Sequence, residues 1–195
     1  MIPKLMVVLA VGRGGSSLVC DLVASCGYSL GINEKKHNDP RHGRNEFPGI
    51  GVEMKNPTKE TRAVVNRIEL SGTTVVKVGY NYDYFMTCFK DKVIDLRTLV
   101  VQRNITDICR SRVAYGMNLL HCIDSFVQSQ LNTCSLYLAS PKYNTLRVNF
   151  ELLLQHDRLL LANIIDFIDG DATPDELVTL IHPEIVIHTS SKIEE

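Results

Sequence analysis

The hydrophobic pattern of this 195-residue chain alternates between short continuous apolar runs and stretches in which apolar residues recur every three or four positions. Short continuous runs are typical of strands buried on both faces, and the wider spacing is typical of amphipathic helices. Strands alternating with helices predict a three-layer α/β/α fold on a mostly parallel sheet. The predicted strands span 5–11, 73–78, 97–101 and 146–148, and the predicted helices begin near residues 16, 59, 104, 119, 150 and 174.

Helix-ending signals set the boundaries of these elements. Gly27 is placed to end the first helix, and Pro141 is placed to break the long one before it. Gly170 is placed to stop a helix over 150–168. The segment Thr173-Pro174-Asp175-Glu176 has the pattern of a capping box with proline at the first helical position, so it predicts one more short helix.

One long stretch, at 31–58, shows neither strand nor helix periodicity and is rich in Gly, Pro, Asn, His and charged residues. Irregular segments of this length in compact domains are usually functional or disordered. We therefore interpret it as a substrate-facing lid. The aromatic residues at 80–85 are expected to help this lid shape a substrate pocket.

Length and charge narrow the class of protein. The chain fits one domain, 1–195, by size. Its 21 basic and 22 acidic side chains give a net charge of −1, so no overall field attracts nucleic acid or an anionic membrane. The first apolar run, 5–11, is too short for a signal peptide, and no run approaches the roughly 18 residues of a membrane span. We expect a soluble cytoplasmic protein that binds neither nucleic acid nor membrane.

Six cysteines are scattered along the chain without a CxxC pair, several of them at apolar helical positions. This usage predicts buried free thiols in a reducing compartment rather than disulfides or a zinc site. The six are Cys20, Cys26, Cys88, Cys109, Cys122 and Cys134.

The candidate chemistry begins where the first apolar run ends, in Gly12-Arg13-Gly14-Gly15-Ser16-Ser17. Glycines let the backbone approach an anion closely, and a helix N-terminus adds unpaired N–H groups and roughly half a positive charge. Arg13 and the hydroxyls of Ser16 and Ser17 would complete the surroundings of an oxyanion. The strand, the turn and the helix start therefore predict a phosphate-binding loop.

This loop resembles a nucleotide-binding P-loop, but Ser16 stands where a lysine should follow the last glycine. A kinase or NTPase also needs a carboxylate at the end of a neighbouring strand to hold Mg²⁺. One predicted strand carries Lys77 near its end, and the next is followed by Gln102 and Arg103. We therefore expect a cationic site with no metal, and a small-molecule kinase is the disfavoured alternative.

A second anion-binding pattern, Arg-Asn-x-x-Asp-x-x-x-Ser, runs from Arg103 to Ser111. Together with the loop that contains Arg13, it resembles the two segments with which sulfotransferases hold their donor, 3′-phosphoadenosine 5′-phosphosulfate (PAPS). The loop is similar to the form found in tyrosylprotein sulfotransferases and small bacterial members. The resemblance spans most of the chain in outline, and it implies a P-loop-like sulfotransferase fold and PAPS-dependent transfer of a sulfuryl group.

The resemblance also implies roles for individual residues. Arg13 would stabilise charge on the sulfuryl group in flight, and Ser16 and Ser17 would bind the 5′-phosphate. Arg103 and Ser111 would hold the 3′-phosphate, the arginine through charge-assisted hydrogen bonds.

The other charged residues of the second segment have a simpler interpretation. We expect Arg110 and Arg112 to be surface or ion-pair residues. Asp107 is placed to pair with one of them along the helix, so we give it no catalytic role.

A hydroxyl or amine acceptor also needs a general base. Tyrosylprotein sulfotransferases use a glutamate that follows the loop arginine, and Glu34 holds the comparable position here. Glu46, Glu53 and His42 are alternatives in the same irregular stretch. The sequence does not distinguish a small molecule, a carbohydrate or a peptide as the acceptor.

Two departures from the family pattern support a second hypothesis. The histidine that follows the strand lysine in cytosolic sulfotransferases is absent from Lys77-Val78-Gly79. Phe150 also replaces a tyrosine whose hydroxyl can help to bind the donor. The alternative function is therefore a catalytically inactive nucleotide-binding module with a sulfotransferase-like fold.

Overall fold

The computed structural model describes residues 2–10, 14–30, 72–78, 89, 93–114, 116–139 and 144–182, with the backbone alone at 125, 129 and 132–139. Several predictions fall outside these residues. They are the lid at 31–58, the helix that begins near residue 59, the aromatic segment at 80–85 and the helix break at Pro141.

Five parallel strands form one sheet in the order β2-β3-β1-β4-β5. All four predicted strands are present: β3 has the predicted ends, and the ends of the other three differ from the prediction by one or two residues. The fifth, β2, has only two residues, which is too short to give a periodic signal in the sequence. The strands are β1 (Lys4–Ala10), β2 (Ser29–Leu30), β3 (Thr73–Val78), β4 (Asp95–Gln102) and β5 (Asn144–Asn149).

The helices in the described residues follow the predicted alternation. Gly27, with φ of 90°, directly follows the C-cap of the first helix, as predicted. No helix in the described part of the chain combines the length and the apolar character needed to cross a membrane. The helices are α1 (Ser16–Ser25), α2 (Ile105–Val113), α3 (Leu119–Ala139), α4 (Phe150–Leu154), α5 (Arg158–Ile168) and α6 (Pro174–Val178).

The three central strands, β3, β1 and β4, are largely buried on both faces, which explains their continuous apolar runs. Alternate residues of a strand point to opposite faces. In β1, Met6 and Val8 belong to the larger core, whereas Leu5 and Val7 are equally buried on the other face. The apolar side chains of α1 pack on the face of Met6 and Val8. Crossovers between parallel strands are almost always right-handed, so the connection from β4 to β5, on the other side of β1, is expected to place α2 and α3 on the opposite face, and none of their described side chains belongs to the core of α1. The predicted three-layer α/β/α architecture is confirmed.

The prediction of one helix over 150–168 is wrong, because two helices occupy this range. His156 takes a left-handed conformation with φ of 58°, and its Nε2 atom lies 3.3 Å from the carbonyl oxygen of Ile181. The side chain of Asp157 then caps α5 by accepting a hydrogen bond from the N–H of Leu160 at 2.8 Å. Aspartate is a common N-cap residue, but the apolar periodicity continues across Asp157 and therefore suggested a single helix.

The end of α5 also differs in detail from the prediction. Asp169, not Gly170, takes the left-handed conformation that ends the helix, with φ of 52°. Glycine is needed next to it for another reason. A Cβ atom at Gly170 would lie 2.7 Å from the Cβ atom of Cys26, so the close approach of the two segments requires a residue without a side chain.

The capping box at the start of α6 is confirmed. The N–H of Thr173 donates to the Glu176 carboxylate at 2.7 Å, and the N–H of Glu176 donates to Thr173 Oγ1 at 3.3 Å. The N–H and the hydroxyl of Thr173, which both donate to the Glu176 carboxylate, hold the pKa of Glu176 below its ordinary value because they stabilise the ionised form.

The predicted thiol chemistry holds for the cysteines whose side chains are described. Cys20, Cys26, Cys109 and Cys122 are buried and free. Burial raises the pKa of Cys20 to about 12, although Lys77 acts in the opposite direction. The thiol is therefore protonated and unreactive at neutral pH. The side chains of Cys88 and Cys134 lie outside the described residues.

Hydrogen-bonded ion pairs near the amino ends of the strands fasten α5 to β1 and β4. The Asp169 carboxylate accepts hydrogen bonds from Arg97 at 2.7 Å and from Lys4 at 3.0 Å. Arg97 also donates to Asp95 at 2.9 Å and to the carbonyl oxygen of Phe167. The Arg97 guanidinium, with Lys4 second, holds the pKa of Asp169 below its ordinary value of 3.8.

We expect Asp169→Asn to lower the free energy of unfolding at pH 7 by up to about 1 kcal/mol, since the carboxylate is half exposed. Asparagine tolerates the left-handed conformation, so the change tests the charge. A carboxyl group whose pKa is lower in the folded state stabilises the fold above its unfolded pKa, and this contribution is lost as the pH falls. The difference between wild type and variant should therefore shrink between about pH 5 and pH 2 in urea unfolding.

Asp175→Asn is the matched control, because Asp175 pairs with Arg158 at 2.7 Å but both side chains are exposed. This variant should unfold almost like the wild type at every pH. A stability gap for Asp169→Asn that stays constant as the pH falls would contradict the role of the carboxylate.

Candidate functional site

The strand register brings the two predicted anion-binding segments to one edge of the sheet. Ala10, the last residue of β1, is the Cα partner of Val101 in β4, and neighbouring strands lie about 4.8 Å apart. The loop that follows β1 and the Arg103 segment that follows β4 therefore begin side by side. Ligands of parallel α/β sheets bind at this carboxyl edge of the strands.

The start of α1 consists of small residues, Gly15, Ser16 and Ser17. Gly15 is the N-cap residue, with φ of 92°, and no side chain in the described residues caps the helix there. Ser16 and Ser17 are its first two helical residues, and the first turn carries no acidic side chain. The first-turn N–H groups have no partner within the helix, and they add to the positive end of its dipole.

Lys77 brings a cation to this loop from the neighbouring strand β3. Its Nζ atom donates to Ser17 Oγ at 3.4 Å, and the side chain is partly buried. Ser16 is buried, with only 4% of its surface exposed. Because β3 and β4 flank β1, the two strands beside the loop end near Lys77 and Arg103, so this edge carries two cations, with the Glu151 carboxylate beside the turn after β4.

Arg103 occupies the turn between β4 and α2, and backbone contacts hold this turn in place. The side chain of Asn104 caps α2 by accepting from the N–H of Thr106 at 2.8 Å. The N–H of Asn104 itself donates to Glu151 Oε1 at 2.8 Å. The turn after β4 is therefore tied to the turn after β5.

Phe150 packs against both predicted segments. Its ring is almost completely buried, and the Arg103 Cζ atom lies 4.9 Å from the ring centroid. The same ring lies so close to Gly15 that a Cβ atom there would be 2.7 Å from Phe150 Cζ. Glycine at position 15 is therefore required both by its backbone conformation and by this ring.

Ser111 and its neighbours show how α2 is oriented. Ser111 is 5% exposed, so it lies on the buried side of α2. Arg112 was expected to be a surface or ion-pair residue; it is not at the surface, because it is 3% exposed and donates to the carbonyl oxygen of Cys122 at 3.3 Å. It thereby joins α2 to α3, a contact that no local pattern encodes. Arg110 is exposed and lies 3.8 Å from Asp107, as predicted.

Several predicted site residues lie outside the described residues, and the roles of all the site residues, inside and outside, stay predictions. In the part of the chain that is described, no group of three or more His, Cys, Asp or Glu side chains is arranged to hold a metal ion. The predicted site residues that lie outside the described part of the chain are Gly12, Arg13, Glu34, Glu46, Glu53 and His42.

Sequence reasoning missed two connections in the site. The bond from Asn104 to Glu151 joins residues on different strand ends, and so does the packing of Phe150 on Gly15. The available signal was the Phe-Glu pair directly after Asn149, the last residue of β5. Only the strand order shows that this pair lies beside Arg103.

Fold and site together define the class of this protein. It is a three-layer α/β protein in which a glycine-containing turn leads from the central strand β1 into α1, at the same sheet edge as Arg103. No family model matches the sequence, and the search of curated proteins found no match. The solved structures provide the informative comparison.

Sulfotransferase domains have similar structures. The sulfotransferase domain of the olefin synthase from Synechococcus PCC 7002 has a TM-score of 0.59 and 15% identity, covering 96% of this chain and 80% of that chain. The sulfotransferase domain from the curacin biosynthetic pathway has a TM-score of 0.59 and 15% identity, covering 93% and 78%. Retinol dehydratase, in complex with androsterone and the inactive cofactor PAP, has a TM-score of 0.57 and 12% identity, covering 95% and 65%. This chain therefore has the sulfotransferase fold, as the resemblance implied.

Proposed function

We propose that this protein, as a single domain, transfers a sulfuryl group from PAPS to a hydroxyl or amine of a small-molecule acceptor. One observation carries the proposal: the start of α1 and Arg103 lie at neighbouring strand ends, with Phe150 packed against both. A nucleotide with a phosphate on each side of its ribose needs two anion-binding segments at one edge. The sulfotransferase fold and the PAP bound to retinol dehydratase support this proposal.

The residues of the cationic edge fit such a donor. In this proposal Ser16, Ser17 and the first-turn N–H groups of α1 bind the 5′-phosphate, with Lys77 beside them. Arg103 and Ser111 bind the 3′-phosphate. Bound PAPS would supply an activated sulfuryl group through its phosphosulfate anhydride bond.

The remaining roles concern the reacting atoms. As the acceptor atom bonds to sulfur, the anhydride bond breaks and charge develops on the leaving phosphate. We assign the stabilisation of this charge to Arg13, because fixed cations act most strongly where charge develops. Glu34 is the proposed base that accepts the proton of the acceptor, and Glu46, Glu53 and His42 remain candidates for the same role.

Phe150 supports a second candidate, a nucleotide-binding module without turnover. The resemblance predicts a tyrosine at this position, and the buried ring of Phe150 offers no hydroxyl to the donor. Such a module would keep the two anion-binding segments and bind adenosine 3′,5′-bisphosphate (PAP), but it would release no PAP from PAPS.

Calorimetry with PAP and an activity assay with labelled PAPS test both candidates together. The acceptor panel should contain phenols, sterols, sugars and peptides, and ATP with Mg²⁺ should be titrated in parallel. Binding of PAP and transfer of label to one acceptor class support the sulfotransferase. Tight binding with no transfer to any acceptor favours the module. If PAP does not bind, both are wrong, and Mg²⁺-dependent binding of ATP would then indicate a kinase.

We expect Lys77→Met to weaken the binding of PAP and of adenosine 5′-monophosphate (AMP) by about tenfold each, because Lys77 lies beside the loop for the 5′-phosphate that both ligands share. Calorimetry measures both affinities. Lys4→Met removes the same charge among the ion pairs with Asp169, away from the carboxyl edge, and should leave both affinities unchanged. A selective loss of PAP binding in Lys77→Met would contradict this assignment.

A further inference from the structure

Phe150 connects two segments that are far apart in the sequence. Its side chain is 1% exposed, and it leaves no room for a Cβ atom at Gly15. The guanidinium of Arg103 lies over its ring, 4.9 Å from the centroid. A cation over an aromatic face is attracted to it, and the attraction is stronger where water is excluded.

Two hydrogen bonds, made by the side chains of Asn149 and Glu151, hold the chain on either side of Phe150. The side chain of Asn149 caps α4 by accepting from the N–H of Leu152 at 3.0 Å, which fixes the backbone on one side of Phe150. On the other side, the Glu151 carboxylate accepts from the N–H of Asn104 at 2.8 Å. The ring is therefore fixed relative to the turn that carries Arg103, and a movement at Gly15 would be transmitted to it.

We infer that Phe150 is a positioning residue that fixes the Arg103 guanidinium relative to the first turn of α1, so that the two anion-binding segments act as one site. The consequence is selectivity for a nucleotide that carries both a 5′- and a 3′-phosphate. A ligand with only the 5′-phosphate gains nothing from the fixed distance between the segments. The identity of the ligand rests on the proposed function, whereas the mechanical coupling does not.

The selectivity is tested by titrating PAP and AMP into Phe150→Leu. We expect this variant to lose about tenfold in PAP affinity and about twofold in AMP affinity. Phe150→Tyr keeps the ring, so it should keep the wild-type ratio of the two affinities or exceed it. If Phe150 only stabilises the fold, Phe150→Leu will melt at a lower temperature with an unchanged ratio, and this result would overturn the inference.

The coupling is tested without any ligand by NMR of the Arg103 Nε–Hε signal, which Arg103→Lys identifies by its loss. Gly15→Ala should shift this signal in the wild-type background, because the new methyl group displaces the ring. The shift should disappear in the Phe150→Leu background, where the ring is absent. Equal shifts in both backgrounds, or none, would overturn the coupling.

A second NMR measurement covers the case in which Gly15→Ala does not fold. In that case the spectrum of Phe150→Leu is compared with that of the wild type. The coupling requires that the amide signals of Ser16 and Ser17 and the Arg103 side-chain signal all shift. A shift at only one end would overturn the coupling. If wild type binds neither PAP nor AMP, the proposed function and the nucleotide selectivity fail, while the NMR results still decide the coupling.

Discussion

Replacing Arg103 with alanine is expected to weaken PAP binding about 100-fold and AMP binding no more than about twofold. The Arg103 guanidinium lies over the Phe150 ring. In the proposed complex, the 3′-phosphate is the one phosphate of PAP with which it makes charge-assisted hydrogen bonds. AMP lacks this group. Isothermal titration calorimetry at one fixed salt concentration measures both affinities.

Arg110→Ala is the control for Arg103→Ala. It removes the same charge from the same region, but Arg110 is exposed and pairs with Asp107 on the surface of α2. Both affinities should stay close to those of wild type. Equal losses of PAP and AMP binding in Arg103→Ala would mean that Arg103 does not contact the 3′-phosphate.

Replacing Arg13 with alanine is expected to lower kcat by about 100- to 1000-fold, with a much smaller change in the affinity for PAP. Charge on the leaving phosphate and the sulfuryl oxygens develops mainly in the transition state, so a residue that stabilises it affects the rate more than binding. Steady-state kinetics with the best acceptor of the panel gives kcat, and calorimetry gives the affinity.

Two further variants serve as comparisons for Arg13→Ala. Arg13→Lys keeps a cation but loses the planar fork of donors, so it should recover only part of the lost rate. Arg110→Ala should leave kcat unchanged. If Arg13→Ala lowers PAP affinity as strongly as kcat, then Arg13 binds the donor in its ground state and is not specific to the transition state.

Much of the fold was predictable because its signals are local. The apolar run of β1 and the switch to helical spacing after Gly15 lie within a few residues of the structures that they encode. The capping box at Thr173 is equally local, and it forms as predicted. The same reasoning failed over 150–168, where periodicity suggested one helix although Asp157 starts a new one.

The site was predictable only in outline. The sequence indicated that Arg103 and the loop before α1 both follow strands, and the parallel register of β1 and β4 brings them together. It gave no sign that Arg112 is buried against α3. Burial of a charged side chain depends on which segments pack around it, and sequence spacing does not contain that information.

By itself, the sequence determined most of the described elements of this protein, the start of α1, and the positive charges of Lys77 and Arg103 near the ends of β3 and β4. These properties depend on residues a few positions apart, so periodicity, glycine and capping patterns suffice to predict them. Only the tertiary structure decided that Phe150 packs on both Gly15 and Arg103, and that Glu151 holds the backbone of Asn104. Those contacts join segments far apart in the chain, and they exist because the order of the strands sets their carboxyl ends side by side.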